Sequence, residues 1–172
     1  MIRKAQAADI SAIAAIYEDI HTQEEQGALT IGWQRGVYPT QATAQAALAR
    51  DDLYVLEEDG AVLAAAIINH VQVDVYANVP WQHEASGDQV LVLHTLVVSP
   101  DAMSCGLGKQ FVAFYEETAH QLGCTVLRMD TNARNTRARA FYQKTGYREA
   151  GIVPCVFNGL EGVQLVCLEK RV

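Results

Sequence analysis

Hydrophobic positions along the chain follow two spacings, one typical of helices and one of buried strands. After Asp9, which can cap a helix, apolar residues recur at helical spacing from Ile10 to Ile20. Residues 90–98 are almost all apolar, which is typical of a central strand covered on both faces. The same criteria predict strands at residues 2–5, 53–57, 62–71, 125–129, 148–153 and 163–169, and helices at residues 40–50, 106–121 and 136–144.

Residues 73–88 match neither spacing. They either extend the preceding hairpin or form a loop. The remaining elements follow one another without repeats, linkers or low-complexity stretches. The pattern therefore predicts a single α/β domain over residues 1–172 with a mixed sheet.

Composition and net charge limit the kinds of molecule that the protein is expected to bind and the compartment in which it is expected. Half of the residues are hydrophobic, the mean hydropathy is +0.02 and the net charge is −7, which disfavours nucleic acid or an anionic membrane as the main partner. The N-terminus lacks the apolar core of a signal peptide, and the longest apolar run, residues 61–68, is far short of the ~20 residues that span a bilayer. We therefore expect a cytoplasmic protein.

The cysteines predict neither a metal centre nor a disulfide framework. Cys105, Cys124, Cys155 and Cys167 show no paired spacing with one another or with histidine. Three of them suit small core positions, whereas Cys105 lies in a loop without the pattern of a nucleophile.

A glycine-containing turn follows the apolar run 90–98 and precedes a predicted helix. Gly106 and Gly108 carry no Cβ, so the backbone can turn tightly and approach a ligand. The first amides of the helix and the positive end of its dipole attract an anion. Phe111 stands where a dinucleotide fingerprint needs its third glycine, and the spacing excludes a nucleoside-triphosphate loop. The turn alone fits a diphosphate cradle or a plain connection.

Residues 135–147 read Asn-Thr-Arg-Ala-Arg-Ala-Phe-Tyr-Gln-Lys-Thr-Gly-Tyr, after the predicted strand 125–129. Together with the Gly106/Gly108 turn, they resemble the GNAT acetyltransferase superfamily over roughly residues 90–150. At Met103 the chain departs from the Gln or Arg usual there, which removes one polar contact. The resemblance implies an α/β (α+β) fold of GNAT type, with a mixed, mostly antiparallel central sheet of about six or seven strands flanked by about four helices.

The resemblance also implies acetyl-CoA (CoA) as co-substrate, without a metal. The turn would hold the diphosphate, the strand before it would pair with the pantetheine arm, and Asn135 would bind the cofactor or cap a helix. Six of the seven charged residues in 128–148 are basic and would attract the polyanion, unless they only form a solvated helix face. The implied cofactor-binding residues are Leu96, Val97, Val98, Ser104, Cys105, Gly106, Leu107, Gly108, Lys109 and Asn135.

Acetyl transfer to an amine needs a base for the amine and an acid for the leaving thiolate. Tyr142, seven residues after Asn135, has the spacing of the family's general acid; its other interpretation is core packing. His94 is the titratable residue in the run 90–98, two positions before Leu96 and so on its face, and is the predicted base. Asp130 is the rival base, although a salt bridge to a neighbouring arginine is the interpretation we favour for it.

Aromatic residues suggest how an acceptor is recognised. Trp33 and Arg35 lie in the loop after the first helix, and Arg35 could hold an acceptor carboxylate. Tyr76 and Trp81 follow the middle hairpin. Scattered surface aromatics are the alternative interpretation.

The function that the resemblance implies is acetyl transfer from acetyl-CoA to a primary amine of a small molecule, by direct attack in a ternary complex. A protein or peptide N-acetyltransferase is the alternative within enzymes, and a catalytically silent CoA-binding sensor is the alternative outside them. We expect no nucleic-acid or membrane partner. A homodimer is possible through the terminal strand.

Overall fold

A computed structural model describes residues 1–172 as an α/β chain with a mixed sheet of seven strands. The strands are β1 (Ile2–Lys4), β2 (Leu53–Glu58), β3 (Ala61–Asn69), β4 (Val90–Val98), β5 (Val126–Asn132), β6 (Arg148–Phe157) and β7 (Leu160–Arg171). The α-helices are α1 (Ile10–Glu25), α2 (Gln41–Ala49), α3 (Leu107–Leu122) and α4 (Thr136–Lys144).

The sheet order is β1-β2-β3-β4-β5-β7-β6. β4 runs parallel to β5, whereas the pairs β1–β2, β2–β3, β5–β7 and β6–β7 are antiparallel. The mostly antiparallel sheet of seven strands and the four α-helices confirm the predicted fold class.

The residues group into two compact units. The first unit comprises Met1–Leu29, Trp33–Ile68 and His94–Tyr115. The second unit comprises Thr30–Gly32, Asn69–Leu93 and Glu116–Val172. The single domain over residues 1–172 stays a prediction.

The first unit is built on the amphipathic helix α1. Its large apolar residues, including Ile13 and Tyr17, are buried, and the alanines that face inward from α2 are fully buried. Asp9 occupies the N-cap position of α1, as predicted, but its side chain makes no capping bond to that helix. Its carboxylate instead accepts the Gln6 amide at 2.7 Å and pairs with Arg3 at 2.8 Å. The predicted start of the helix is therefore confirmed, whereas a cap made by the Asp9 side chain is wrong.

The second unit buries a core between its strands and residues 70–89, which we call the β3–β4 connection. Tyr76 and Val79 of this connection are buried with residues of β4, β5, β6 and β7. Gly151 permits this packing, because a Cβ there would lie 3.1 Å from a ring carbon of Pro80. The connection contains only short 3-10 helices at Asp74–Asn78 and Gly87–Gln89, so the loop alternative for residues 73–88 is the correct one.

Candidate active site

The turn between β4 and α3 lies in the first unit and is exposed. Ser104 (φ +71°) and Gly106 (φ +82°) both have left-handed backbone conformations. A Cβ on Gly106 would meet open space, so glycine is needed there for its conformation and not for room. α3 begins at Leu107 and is 16 residues long, and the first amides of such a helix have no intrahelical partner. This geometry fits a diphosphate.

Not every amide of the predicted cradle points outward. The Cys105 N–H donates to the Ala102 carbonyl at 3.4 Å, inside the turn. Its thiol is exposed and lies 4.0 Å from the Met103 carbonyl oxygen. Gly108 and Lys109 belong to the first turn of α3, where Lys109 is exposed. Lys109 can therefore add a positive charge to an anion site at the helix start.

The last five residues of β4, His94 to Val98, are also part of the first unit. Thr95 has φ +50°, which is rare for a β-branched residue, and its side-chain oxygen is hydrogen-bonded to the Tyr38 hydroxyl. This left-handed residue interrupts the two-residue alternation, so the expectation that His94 and Leu96 share a face loses its basis. Val97 is buried, while Leu96 and Val98 are half-buried.

The loop after α1 carries the two predicted acceptor residues. Trp33 is half-buried and packs edge-on against Tyr38, with ring centroids 5.8 Å apart. The Arg35 guanidinium is held by α1, where it pairs with Glu18 and with Glu25, the latter at 2.9 Å. An acceptor carboxylate would have to compete with these two carboxylates for Arg35.

In the second unit, α4 places Asn135 and Tyr142. The Asn135 side chain accepts the Ala138 amide at 3.1 Å, so it caps α4 as one of its two interpretations predicted. Tyr142 is buried and packs against Phe141 and Tyr147, with ring centroids 5.1 and 5.9 Å away. Burial, and then the negative charge of Asp130, raise the pKa of the Tyr142 phenol.

Asp130 has a hydrogen-bond partner that the sequence did not predict. Its carboxylate accepts a hydrogen bond of 2.7 Å from the Tyr76 hydroxyl, so the salt bridge to an arginine that we favoured is wrong. Burial raises the pKa of Asp130, and the bond from Tyr76 acts in the opposite direction. The sequence marks Tyr76 as one of few aromatic residues in its segment, but it contains no pattern that pairs Tyr76 with Asp130.

Three of the basic residues in 128–148 have partners within the second unit. Arg128 is buried beneath Trp81, 4.2 Å from the ring centroid, and donates to the His83 carbonyl at 2.9 Å. Arg139 pairs with Glu149 at 2.7 Å and Arg148 with Glu169 at 2.6 Å. The exposed cations of this segment are Arg134, Arg137, Lys144 and Arg148, and their charges suit a polyanionic ligand.

Comparison with known proteins decides the family. The model of the acetyltransferase (GNAT) family matches residues 13–147, more than half of the chain. This chain belongs to the GNAT acetyltransferase family. The family prediction made from the Gly106/Gly108 turn and the segment 135–147 is thus confirmed, and both motifs lie inside the matched region. No curated protein sequence matches the chain.

Solved structures share the GNAT fold at low identity. A GNAT acetyltransferase from Streptococcus agalactiae has a TM-score of 0.81 at 22% identity, covering 100% of this chain and 95% of that one. A ribosomal-protein-alanine N-acetyltransferase from Brucella melitensis has 0.72 at 21%, covering 100% and 99%. A Salmonella typhimurium protein described as an acetyltransferase with its cofactor acetyl-CoA has 0.69 at 18%, covering 99% and 92%. At these identities the likeness shows the fold alone.

The GNAT chain contains neither a cluster of metal-ligating side chains nor a helix suited to span a membrane. No group of three or more His, Cys, Asp or Glu side chains is arranged to hold a metal ion. None of its helices combines the length and hydropathy of a membrane span.

Proposed function

We propose that this GNAT protein transfers the acetyl group of acetyl-CoA to a primary amine of a small molecule, by direct attack in a ternary complex. The observation that carries the proposal is the exposed turn with two left-handed residues, Ser104 and Gly106, directly before the long helix α3 in a chain of this family. Such a turn directs backbone N–H groups and a helix dipole toward an anion.

Each part of acetyl-CoA has proposed partners. The backbone of Ser104 to Lys109 binds the diphosphate, with Cys105 contributing less because its amide is already bonded to Ala102. The backbone of Leu96 to Val98 pairs with the pantetheine arm as another strand would. Asn135 hydrogen-bonds the cofactor through the side-chain groups that capping Ala138 leaves available.

Tyr142 is the proposed general acid. The leaving group is a thiolate whose thiol has a pKa of about 8.5, and proton donation makes it a better leaving group. Because burial and the charge of Asp130 raise the pKa of Tyr142, the phenol carries its proton near neutral pH, which a general acid requires.

Two residues remain candidates for the base that deprotonates the amine. His94 lies in the half of β4 proposed to bind the pantetheine arm, and an imidazole suits proton removal near neutral pH. Asp130 is the second candidate, since burial raises the pKa of its carboxyl and makes it a stronger base. His94→Gln and Asp130→Asn, compared over a pH series, distinguish them: the variant that lacks the base loses the acid limb of kcat/KM.

A peptide acceptor is the second candidate function. It is supported by the fold likeness to the Brucella melitensis ribosomal-protein-alanine N-acetyltransferase. A release assay for free CoA thiol should include small amines, amino acids and peptides with a free N-terminus. We expect the highest kcat/KM with a small amine. A preference for peptides would replace the small-molecule proposal, and tight CoA binding without any transfer would leave a sensor.

A further inference from the structure

The β3–β4 connection places the side chain of Tyr76 inside the second unit. Tyr76 is 2% exposed, and its hydroxyl donates to Asp130 at 2.7 Å across 54 residues of sequence. Its ring packs edge-on against Trp81 at 5.2 Å, and the Trp81 indole N–H donates to the Tyr76 carbonyl at 2.9 Å. Hydrogen bonds therefore fix both the side chain and the backbone of Tyr76.

The connection itself is fixed by a buried carboxylate. Glu169 of β7 is 1% exposed and accepts the backbone N–H groups of Gln82 at 2.8 Å and His83 at 3.2 Å, together with Arg148 at 2.6 Å. Arg128 adds the bond to the His83 carbonyl and the contact under Trp81. A segment without long secondary structure is thereby held firmly enough to orient a side chain.

Several elements bring titratable groups within electrostatic reach of Asp130. Tyr76 approaches from the β3–β4 connection, Tyr142 from α4, Cys155 from β6 and Cys167 from β7. Of these, Tyr76 makes a direct hydrogen bond to the carboxylate. Cys155 and Cys167 are free thiols, and burial, together with the charge of Asp130, raises the pKa of Cys167 to about 12. Neither thiol is therefore charged near neutral pH.

We infer that Tyr76 is a positioning residue of the acetyl-transfer reaction: its hydroxyl orients the Asp130 carboxylate and keeps it ionised, so that Asp130 can take the proton of the acceptor amine. This inference rests on the proposed function and on Asp130 as the base. One proton of the acceptor ammonium passes to the Asp130 carboxylate, and the free nitrogen attacks the thioester carbonyl. Tyr142 protonates the leaving thiolate, and the second proton that the nitrogen loses on becoming an amide restores the phenol. Asp130 then releases its proton to solvent.

The test removes only the hydroxyl. Tyr76→Phe keeps the ring against Trp81, and Tyr54→Phe is the matched control, since its ring packs on Phe114 at 5.4 Å in the first unit. Carbon-13 NMR of protein labelled at aspartate Cγ measures the titration midpoint of Asp130 directly. Loss of a hydrogen bond to a charged group should raise this midpoint by about one pH unit or more in Tyr76→Phe. Tyr54→Phe should leave it unchanged.

A second variant moves the midpoint the other way. Site-specific 3-fluorotyrosine at position 76 makes the phenol a stronger donor and should lower the Asp130 midpoint, which a purely structural role of Tyr76 would not do. The acid limb of kcat/KM should shift with the midpoint in both variants, while KM for acetyl-CoA stays constant.

Three results would overturn the inference in distinct ways. An unchanged midpoint in both variants refutes the coupling between Tyr76 and Asp130. A shifted midpoint with an unmoved acid limb refutes its role in the reaction but leaves the proposed function intact. A wild-type protein that transfers no acetyl group to any amine or peptide refutes the proposed function itself, and the NMR titration still reports on the pair.

Discussion

The turn before α3 and the Tyr76–Asp130 pair are built in opposite ways. The turn uses backbone groups of consecutive residues and is open to solvent at Ser104 and Gly106. The pair uses two side chains 54 residues apart, and Tyr76 is almost fully buried. Exposed backbone suits binding of an anion without a precise side-chain geometry, whereas a partly buried pair of side chains suits control of a proton. Most of the following predictions disturb the surroundings of one region and spare the other, and the last concerns the acceptor loop.

The largest effect is expected from Tyr142→Phe in the second unit. Loss of the proposed general acid should lower kcat by about 100-fold. CoA affinity, measured by calorimetry, should not change, because the diphosphate cradle is untouched. Tyr147→Phe is the matched control: its hydroxyl bonds Glu116 at 3.1 Å and its ring also belongs to this aromatic cluster. Equal losses in both variants would mean that the cluster matters for packing and not for proton donation.

The next effect is on stability and concerns Glu169. Although burial opposes its ionisation, the amides of Gln82 and His83 and the Arg148 guanidinium hold the pKa of Glu169 below its ordinary value. Glu169→Gln should lower the free energy of unfolding at pH 7 by about 2 kcal/mol, since charge-assisted hydrogen bonds are lost. Hydrogen exchange should rise in residues 70–89 and stay constant in residues 99–110.

The pH dependence of this effect has a defined sign. A carboxyl whose folded pKa is depressed stabilises the protein above its unfolded pKa of about 4.3, and the stabilisation disappears as the pH falls through the folded value. Urea unfolding of wild type and Glu169→Gln should therefore differ at pH 7 and converge in acid. A difference that persists at low pH would assign the loss to packing. Glu149→Gln, at a half-buried ion pair with Arg139, should show a smaller difference.

Gly106→Ala disturbs the turn by its backbone conformation alone. An alanine at φ +82° costs about 1 kcal/mol, so the Kd for CoA should rise by about five- to tenfold if the turn must keep this shape to bind. Gly60→Ala is the matched control, with φ +79° and open space around a Cβ, in the hairpin between β2 and β3. It should cost similar stability and leave the Kd unchanged. Identical Kd values for both variants would refute the cradle.

The smallest effect is expected at the acceptor loop. Arg35→Ala should raise the acceptor KM by about threefold, consistent with loss of one exposed ionic contact, and leave the KM for acetyl-CoA unchanged. Glu25→Ala removes the same ion pair from the other side while keeping the guanidinium. If both variants raise the acceptor KM equally, Arg35 only orders the loop. If Arg35→Ala alone raises it, Arg35 binds the acceptor.

Local patterns predicted the elements that they dominate. β4 and α4 have the predicted bounds, because a continuous apolar run and a capped helix define their own ends. β6 and β7 extend beyond the predicted 148–153 and 163–169, because their hairpin continues pairing to Phe157 and Leu160 through exposed and half-buried residues such as Val156. Helix α3 begins one residue after the predicted Gly106.

The hydrogen bond between Tyr76 and Asp130 joins residues that are far apart in the sequence, and a local pattern does not encode such a contact. Asp130 is bonded to Tyr76, and not to an arginine, because of the path that residues 70–89 take. Glu169, in a strand almost ninety residues later, fixes this path. Likewise, the left-handed Thr95 interrupts a strand whose composition looks regular. The turn at Ser104 and Gly106 was predictable because consecutive residues specify it.

Cys105 is the one exposed cysteine, and it can be used to measure ligand binding. Burial is the main reason that the pKa values of Cys124, Cys155 and Cys167 are raised, so those thiols react slowly with electrophiles near neutral pH, whereas Cys105 stands open to solvent in the turn. A thiol-directed fluorophore should attach there first, without mutagenesis. Its emission would then report occupancy of the neighbouring backbone amides in real time, and ligands that fill the turn should protect the thiol from labelling.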